Sequence, residues 1–290
     1  MQLSNQPRSV AMSSNRTILI TGVSSGFGRA LAEEALAAGY RVVGTVRSEQ
    51  AKQSFESLNP ANAFGRVLDV TDFDSIEEVV SEIEANVGPL DVLVNNAGYG
   101  HEGVMEESSL ADMRRQFDVN VFGAVAVMKS VLPYMRERRR GHILNITSMG
   151  GFITMPGIAY YCGSKFALEG ISEVLGKELK PFGIHVTAVA PGSFRTAWAG
   201  RSMVRTPRSI PDYDALFDPI RKGREEKSGK QLGDPVKAAR AMLSVIESDE
   251  PPAHLLLGSD ALSLVREKLS LLGAEFDAWE RVTRSTDGGT

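Results

Sequence analysis

Tyr161 and Lys165 stand four residues apart in YYCGSK, and Ser148 in NITS precedes the tyrosine by thirteen residues. The stretch that follows, FALEGISEVLGKELK, carries apolar residues at Phe166, Leu168, Ile171, Val174, Leu175 and Leu179, which reads as helix. On a helix the side chains at i and i+4 share a face, so an ammonium stands beside a phenol. A free tyrosine titrates near about 10, and a fixed cation favours its phenolate and lowers that value. Such a pair can move a proton. A tyrosine and a lysine at this spacing also occur in ordinary helices, so the rest of the chain has to decide.

The elements that must position the pair begin near the N-terminus. RTILITGVSSGFGRALAEEALAAGY reads as a short buried strand at Ile18, Leu19 and Ile20, a turn at Gly22, Gly26 and Gly28, and a helix of good helix formers. Glycines let the backbone approach a ligand without a Cβ in the way, and a helix N-terminus offers unpaired N–H groups to a pyrophosphate. The spacing G-x-x-x-G-x-G differs from the commoner dinucleotide fingerprint, and a glycine turn can also be only a tight connection.

The turn belongs to an ordered set: NNAG at Asn95 to Gly98, Asn120, Ser148, the Tyr161 and Lys165 pair, and PGSFRT at Pro191 to Thr196. The set resembles the short-chain dehydrogenase/reductase family from about Thr17 to Gly258, in general pattern nearest its hydroxysteroid and retinol dehydrogenase branch. The resemblance implies roles. Tyr161 passes a proton to or from the substrate oxygen, Lys165 lowers the tyrosine pKa and holds the nicotinamide ribose, Ser148 binds the substrate oxygen, and Asn120 supports a relay water. The implied cofactor contacts are Gly22, Ser24, Ser25, Gly26, Phe27, Gly28, Arg47, Asp69, Val70, Asn95, Ala97, Gly98, Asn120, Tyr161, Lys165, Pro191, Gly192, Phe194 and Thr196. Asp69, in LDVTD, resembles the adenine-contacting residue, although it can equally cap the following helix.

Strand patterns fall near 17–22, 41–46, 64–69, 91–95, 142–148, 184–190 and 253–257, with helical patterns between nearly all of them. This alternation predicts an α/β fold: one Rossmann-type, doubly wound parallel sheet of about seven strands with helices on both faces. Ligands then gather beyond the carboxyl ends of the strands, where Gly22, Asp69, Asn95, Ser148 and Pro191 lie. Length alone permits one domain or two, and no linker separates a second; residues 16–290 are read as one domain after a flexible tail at 1–15. The stretch from 197 to 230 is charged, interrupted by prolines and too long for a plain connection, so it is expected to be a substrate lid.

A net charge of −4 leaves no nucleic-acid footprint, and the arginines from Arg136 to Arg140 suit a helix end. The lone cysteine, Cys162, excludes an intrachain disulfide and is read as small filler. No apolar run approaches the roughly 18 residues of a membrane helix, and no signal-peptide core opens the chain, so a cytoplasmic protein with no membrane partner and no metal site is expected.

The second strand ends Gly44, Thr45, Val46, Arg47, with no carboxylate for the adenosine ribose. Arg47 suits a 2′-phosphate, so NADP(H) is favoured over NAD(H). The implied activity interconverts a small-molecule carbonyl and alcohol. The loop 149–156 and Trp198 are apolar, which favours hydrophobic substrates; Tyr160 is read as lining the pocket or packing, and His101, Trp198 and Phe217 as packing or surface residues. A redox-sensing NADP(H) module without turnover is the alternative, and such a module is expected to lack the tyrosine or the lysine. A nucleotide-sugar epimerase or dehydratase also uses this pair, but with a larger C-terminal domain than residues 258–290 allow. Long helices at about 109–138 and 157–180 resemble the family's subunit-pairing helices, so a homodimer or homotetramer is expected.

Overall fold

Runs of β-branched and aliphatic residues alternate with amphipathic stretches, and each run becomes a strand whose successor lies parallel to it across a helix. The computed structural model describes residues 16–196, 198, 200 and 202–288, so the expected tail at 1–15 lies outside the described residues. The first half comprises β1 (Thr17–Ile20), α1 (Gly26–Ala37), β2 (Arg41–Val46), α2 (Glu49–Glu56), β3 (Ala63–Val67), α3 (Phe73–Asn86), β4 (Leu90–Asn95), β5 (Gly100–Glu102), α4 (Leu110–Phe117) and α5 (Ala124–Arg138). There follow β6 (Gly141–Ile146), α6 (Ala159–Leu179), β7 (Ile184–Pro191), β8 (Met203–Arg205), α7 (Asp214–Lys227), α8 (Pro235–Ile246), β9 (His254–Leu257) and α9 (Ser259–Arg284). No helix among the described residues is long and apolar enough to cross a membrane.

Seven strands form one parallel sheet in the order β3-β2-β1-β4-β6-β7-β9. The order reverses between β1 and β4, which opens a crevice above their carboxyl ends. Successive strand residues point to opposite faces, so each strand feeds two cores. Ile18 and Ile20 pack with Leu31 and Ala35 of α1 and with Met242 of α8, whereas Leu19, Leu93 and Ile143 pack with Val80 of α3 and with Val131 and Met135 of α5. Burial on both faces explains why these strands read as continuous apolar runs.

Two features depart from the sequence pattern. The helix expected over 109–138 is broken into α4 and α5 by a π-helical turn, Asp118–Gly123, whose Gly123 lies tight against Val70. A small second sheet pairs β5 with β8, from inside the charged segment after Pro191. That segment is docked by buried charge. Glu102 has no exposed side-chain surface and binds Arg205 at 2.8 Å and Arg224 at 2.8 Å, while Glu107 accepts from Arg208 and from the backbone N–H groups of Ser209 and Ile210. Phe217 fills the space beneath Gly157, where any side chain would collide with its ring.

One buried titratable group on β6 ties stability to pH. The Thr187 hydroxyl gives its proton to the Pro252 carbonyl, so the His142 imidazole must donate to that hydroxyl at 3.0 Å. Burial, with His185 and Arg16 adding repulsion, pushes His142 down to about 3. Its folded value lies below the unfolded one near about 6.5, so between these values the unfolded chain takes the proton and the folded chain does not. Stability from this group therefore falls as pH drops from about 6.5 toward 3. From pH 7 to pH 5 the wild type is expected to lose about 2 kcal/mol more than His142→Gln in urea unfolding. Parallel pH dependence in the two proteins contradicts this.

Candidate active site

The proton-transfer pair sits in the first turns of α6, and both of its members are buried. Lys165 Nζ reaches across to the end of β6 and donates to the Ile146 carbonyl at 2.8 Å; it lies 5.8 Å from the centre of the Tyr161 ring. Ser148, just beyond β6, accepts from the Gly150 N–H at 3.0 Å, and its hydroxyl favours the Tyr161 phenolate. A side chain on Gly150 would stand 3.3 Å from Ser148 Oγ and 3.4 Å from the Tyr161 ring, so glycine there leaves room for the two groups to meet.

Asn120 lies in the π turn, where the widened helix carries its amide inward. Its Oδ1 accepts from the Tyr99 N–H at 3.1 Å, and its Nδ2 donates to the Tyr99 carbonyl and to Ser164 Oγ, both at 3.1 Å. A Cβ on Gly98 would come within 3.1 Å of Asn120 Oδ1 and 3.8 Å of Lys165 Nζ. The structure thus brings Asn120 and Lys165 together at Gly98, and Ser148 and Tyr161 together at Gly150.

Electrostatics here run opposite to what the spacing suggests. Burial pushes the Tyr161 phenol up to about 12, with the Ser148 hydroxyl and the Trp198 indole pulling it back down. The Lys165 ammonium donates to the Ile146 carbonyl. Burial brings Lys165 itself down to about 8, opposed by Glu169 one turn further along α6. The expectation that Lys165 depresses the tyrosine is therefore outweighed here by desolvation.

Trp198, read from sequence as packing or surface, lies on the tyrosine, with ring centres 5.0 Å apart. Its buried indole N–H faces the Tyr161 hydroxyl closely enough to favour the phenolate but does not complete a well-aligned hydrogen bond. Cys162 is buried beside Ile158 and Tyr161, and burial raises its thiol pKa. Tyr160 points away and donates to the Ser108 carbonyl at 2.9 Å, stacked on His101.

The glycine turn fits a dinucleotide. Gly22 and Gly26 have φ of 76° and 61°, and a side chain on Gly28 would collide with the Gly22 carbonyl oxygen and the Asn96 amide. The α1 N-terminus has no side-chain cap from Ser25 and no acidic residue in its first turn, so its N–H groups remain open to an anion beside exposed Ser24. Phe27 meets Phe194 edge to face at 5.1 Å, and Thr196 approaches Gly26, so the loop from Pro191 through Gly192 folds over the turn. Ala97 donates its N–H to Thr21 Oγ1 at 3.0 Å.

Other expected contacts are distributed differently. Asn95 is buried in the sheet and donates to Asn145 Oδ1 at 2.9 Å; its neighbour Asn96 holds the turn, donating to the Thr21 and Gly22 carbonyls at 2.9 Å. Asp69 accepts from the Thr71 N–H and hydroxyl at 3.0 and 2.8 Å, which holds its carboxyl below the usual range, with Arg47 adding to the effect. Arg47 is exposed at the end of β2, and Val70 is buried against Gly123. Asn96 and Glu169 were missed by sequence reasoning; a glutamate at i+4 from Lys165 on the same helix face was the available signal for the second.

A family model described as short chain dehydrogenase matches residues 16–204. The chain belongs to the short-chain dehydrogenase family. Human retinol dehydrogenase 8 is 38% identical to this short-chain dehydrogenase, over 82% of this chain and 79% of its own. The crystal structure of a short-chain dehydrogenase from Streptomyces avermitilis superposes with a TM-score of 0.89 at 40% identity, covering 95% of this chain and 99% of that one. A structure of ElxO with NADP bound superposes with a TM-score of 0.72 at 28% identity, covering 86% and 99%. The short-chain dehydrogenase is thus an oxidoreductase of alcohol and carbonyl groups that uses a nicotinamide dinucleotide.

Proposed function

We propose that this enzyme is an NADP(H)-dependent reductase or dehydrogenase that interconverts hydrophobic ketones and secondary alcohols, with Tyr161 as general acid and base. The observation that carries the reading is the convergence of Ser148 and the buried Tyr161 hydroxyl beside Lys165 and Asn120. A nicotinamide dinucleotide bound over the glycine turn supplies or takes up the hydride. Tyr161 holds a proton at neutral pH, as a donor to a carbonyl oxygen must, and Ser148 orients that oxygen. Lys165 and Asn120 line the side of the opening at Gly98, where they bind the ribose and hold a relay path. A redox-sensing module has no use for this complete set.

The side chains around Tyr161 favour an apolar substrate. Ile158, Met155 and Trp198 pack around Tyr161, and Met203 lies close to Gly100 beside the Trp198 indole. The cations nearby are committed: Arg205 and Arg224 to Glu102, Arg208 to Glu107, and Arg195 to Asp234 at 3.2 Å. A pocket of this kind binds by apolar area, about 25 cal/mol per Å2, and leaves the hydroxyls of a sugar unpaired. The segment 197–230 serves as the lid over it. For the adenosine end, Arg47 grips a 2′-phosphate, as the absence of a carboxylate on β2 allows. We further propose a homo-oligomer paired through the π turn with α5 and through α6, where Phe122 of the turn and Phe166 and Val174 of α6 are exposed, working in the cytoplasm on small molecules without a membrane or nucleic-acid partner.

Tyr161→Phe removes only the hydroxyl. It is expected to lower kcat by about 10^3-fold while NADPH binding, read by fluorescence titration, changes little; Tyr160→Phe matters far less. Substantial turnover in Tyr161→Phe sinks the assignment.

For the cofactor, the wild type is expected to bind NADPH more tightly than NADH. Arg47→Ala should cost about 1.5 to 3 kcal/mol of NADPH affinity with little effect on NADH. Equal affinities in the wild type, or an unchanged preference in the variant, would reject the phosphate contact.

A further inference from the structure

Glu169 is a buried carboxylate that the chemistry proposed above does not use. It lies one turn beyond Lys165 on α6, and Gly151, in the turn after Ser148, packs on it so closely that a side chain there would stand 2.8 Å from its Cγ. Its Oε2 is 2.9 Å from Nδ1 of His254, the first residue of β9, which is exposed and meets Phe152 edge to face at 5.7 Å. Its Oε1 is buried and accepts no well-aligned hydrogen bond, because the nearby Thr147 hydroxyl donates to the Val189 carbonyl. A carboxylate so placed, held from one side only, is unfavourable unless another charge compensates it.

The compensating charge is Lys165. Its ammonium makes no ion pair among the described residues, and it donates to the neutral Ile146 carbonyl at 2.8 Å. The titratable groups that face it are the Tyr161 phenol and Glu169, the one carboxylate acting on it among the described residues. Glu169 in turn faces Lys165 and, from β9, His254; His254 also faces Glu173, 4.0 Å from its Nε2 and itself bound to Lys177. The turn Met149–Gly151 adds no charge. Between two buried groups one helical turn apart, water screens little of the attraction.

We infer that Glu169, oriented by His254, is the counter-charge that keeps the buried Lys165 an ammonium. Glu169 is a positioning residue: it acts through the lysine, and its value to turnover rests on the role proposed above for Lys165. Burial and the carboxylate pull the lysine in opposite directions, so with the carboxylate gone only the downward pull remains.

Lysine isotopically labelled at Cε reports side-chain charge by NMR, and the Lys165 signal is the one lost in Lys165→Arg. In the wild type it is expected to titrate near about 8, and in Glu169→Gln about one pH unit or more lower. Glu169→Asp keeps the charge and is expected to stay closer to the wild type. His254→Ala is expected to fall between the wild type and Glu169→Gln, because a buried carboxylate without its donor takes up a proton more readily. This change at an exposed position reads the coupling even if Glu169→Gln fails to fold. A lysine unmoved in Glu169→Gln, or moved equally in Glu169→Asp, overturns the inference; a wild-type titration in His254→Ala overturns the part given to the histidine. The alkaline limb of kcat/KM should follow the lysine from variant to variant. A lysine that moves while this limb stays fixed supports the counter-charge and rejects instead the role proposed for Lys165 in the reaction.

Discussion

Burial of the Tyr161 and Lys165 pair is the constraint around which the site is organised. α6 brings both side chains inward against the end of β6, where the lysine is held by the Ile146 carbonyl. Desolvation penalises each charged form, so the phenol rises to about 12 and the ammonium falls to about 8. The neighbours work against that trend: Ser148 and Trp198 favour the phenolate, and Glu169 favours the ammonium. The balance leaves a protonated phenol at neutral pH, which suits carbonyl reduction.

The fold serves this arrangement from three directions. The reversal of strand order between β1 and β4 opens the crevice, and the glycine turn places an uncapped helix end at its floor. The π turn carries Asn120 to the opposite wall, fixed by both backbone groups of Tyr99. The segment after Pro191 is tied down through β8 and the carboxylates of Glu102 and Glu107. Glu102 holds Arg205 and Arg224 together, and Glu107 holds Arg208, which Asp214 and Asp218 also bind, so two buried carboxylates fix how this connection docks.

Much of this was legible in the chain because it rests on local pattern. The seven strands, the glycine turn and the spacing of Tyr161 and Lys165 each announce themselves within a short window. What was not legible depends on partners far apart in sequence. Glu102 meets Arg224 across more than a hundred residues, and β5 is only recognisable as a strand through β8. Nothing in NNAG says that Asn95 turns into the sheet while Asn96 holds the turn. The i, i+4 spacing likewise reports that a cation and a phenol are neighbours but not how dry their surroundings are, and dryness set the direction of both shifts.

In the proposed reaction the Tyr161 proton moves as the hydride does. Single-turnover reduction of a hydrophobic ketone tests it, run with NADPH and its 4-deuterated form, each in H2O and D2O. If Tyr161 donates in the transition state, both substitutions slow the same step and their effects multiply. A full effect of the deuterated cofactor with no effect of solvent would contradict the account, because the oxygen would then gain its proton after the bond to carbon is made.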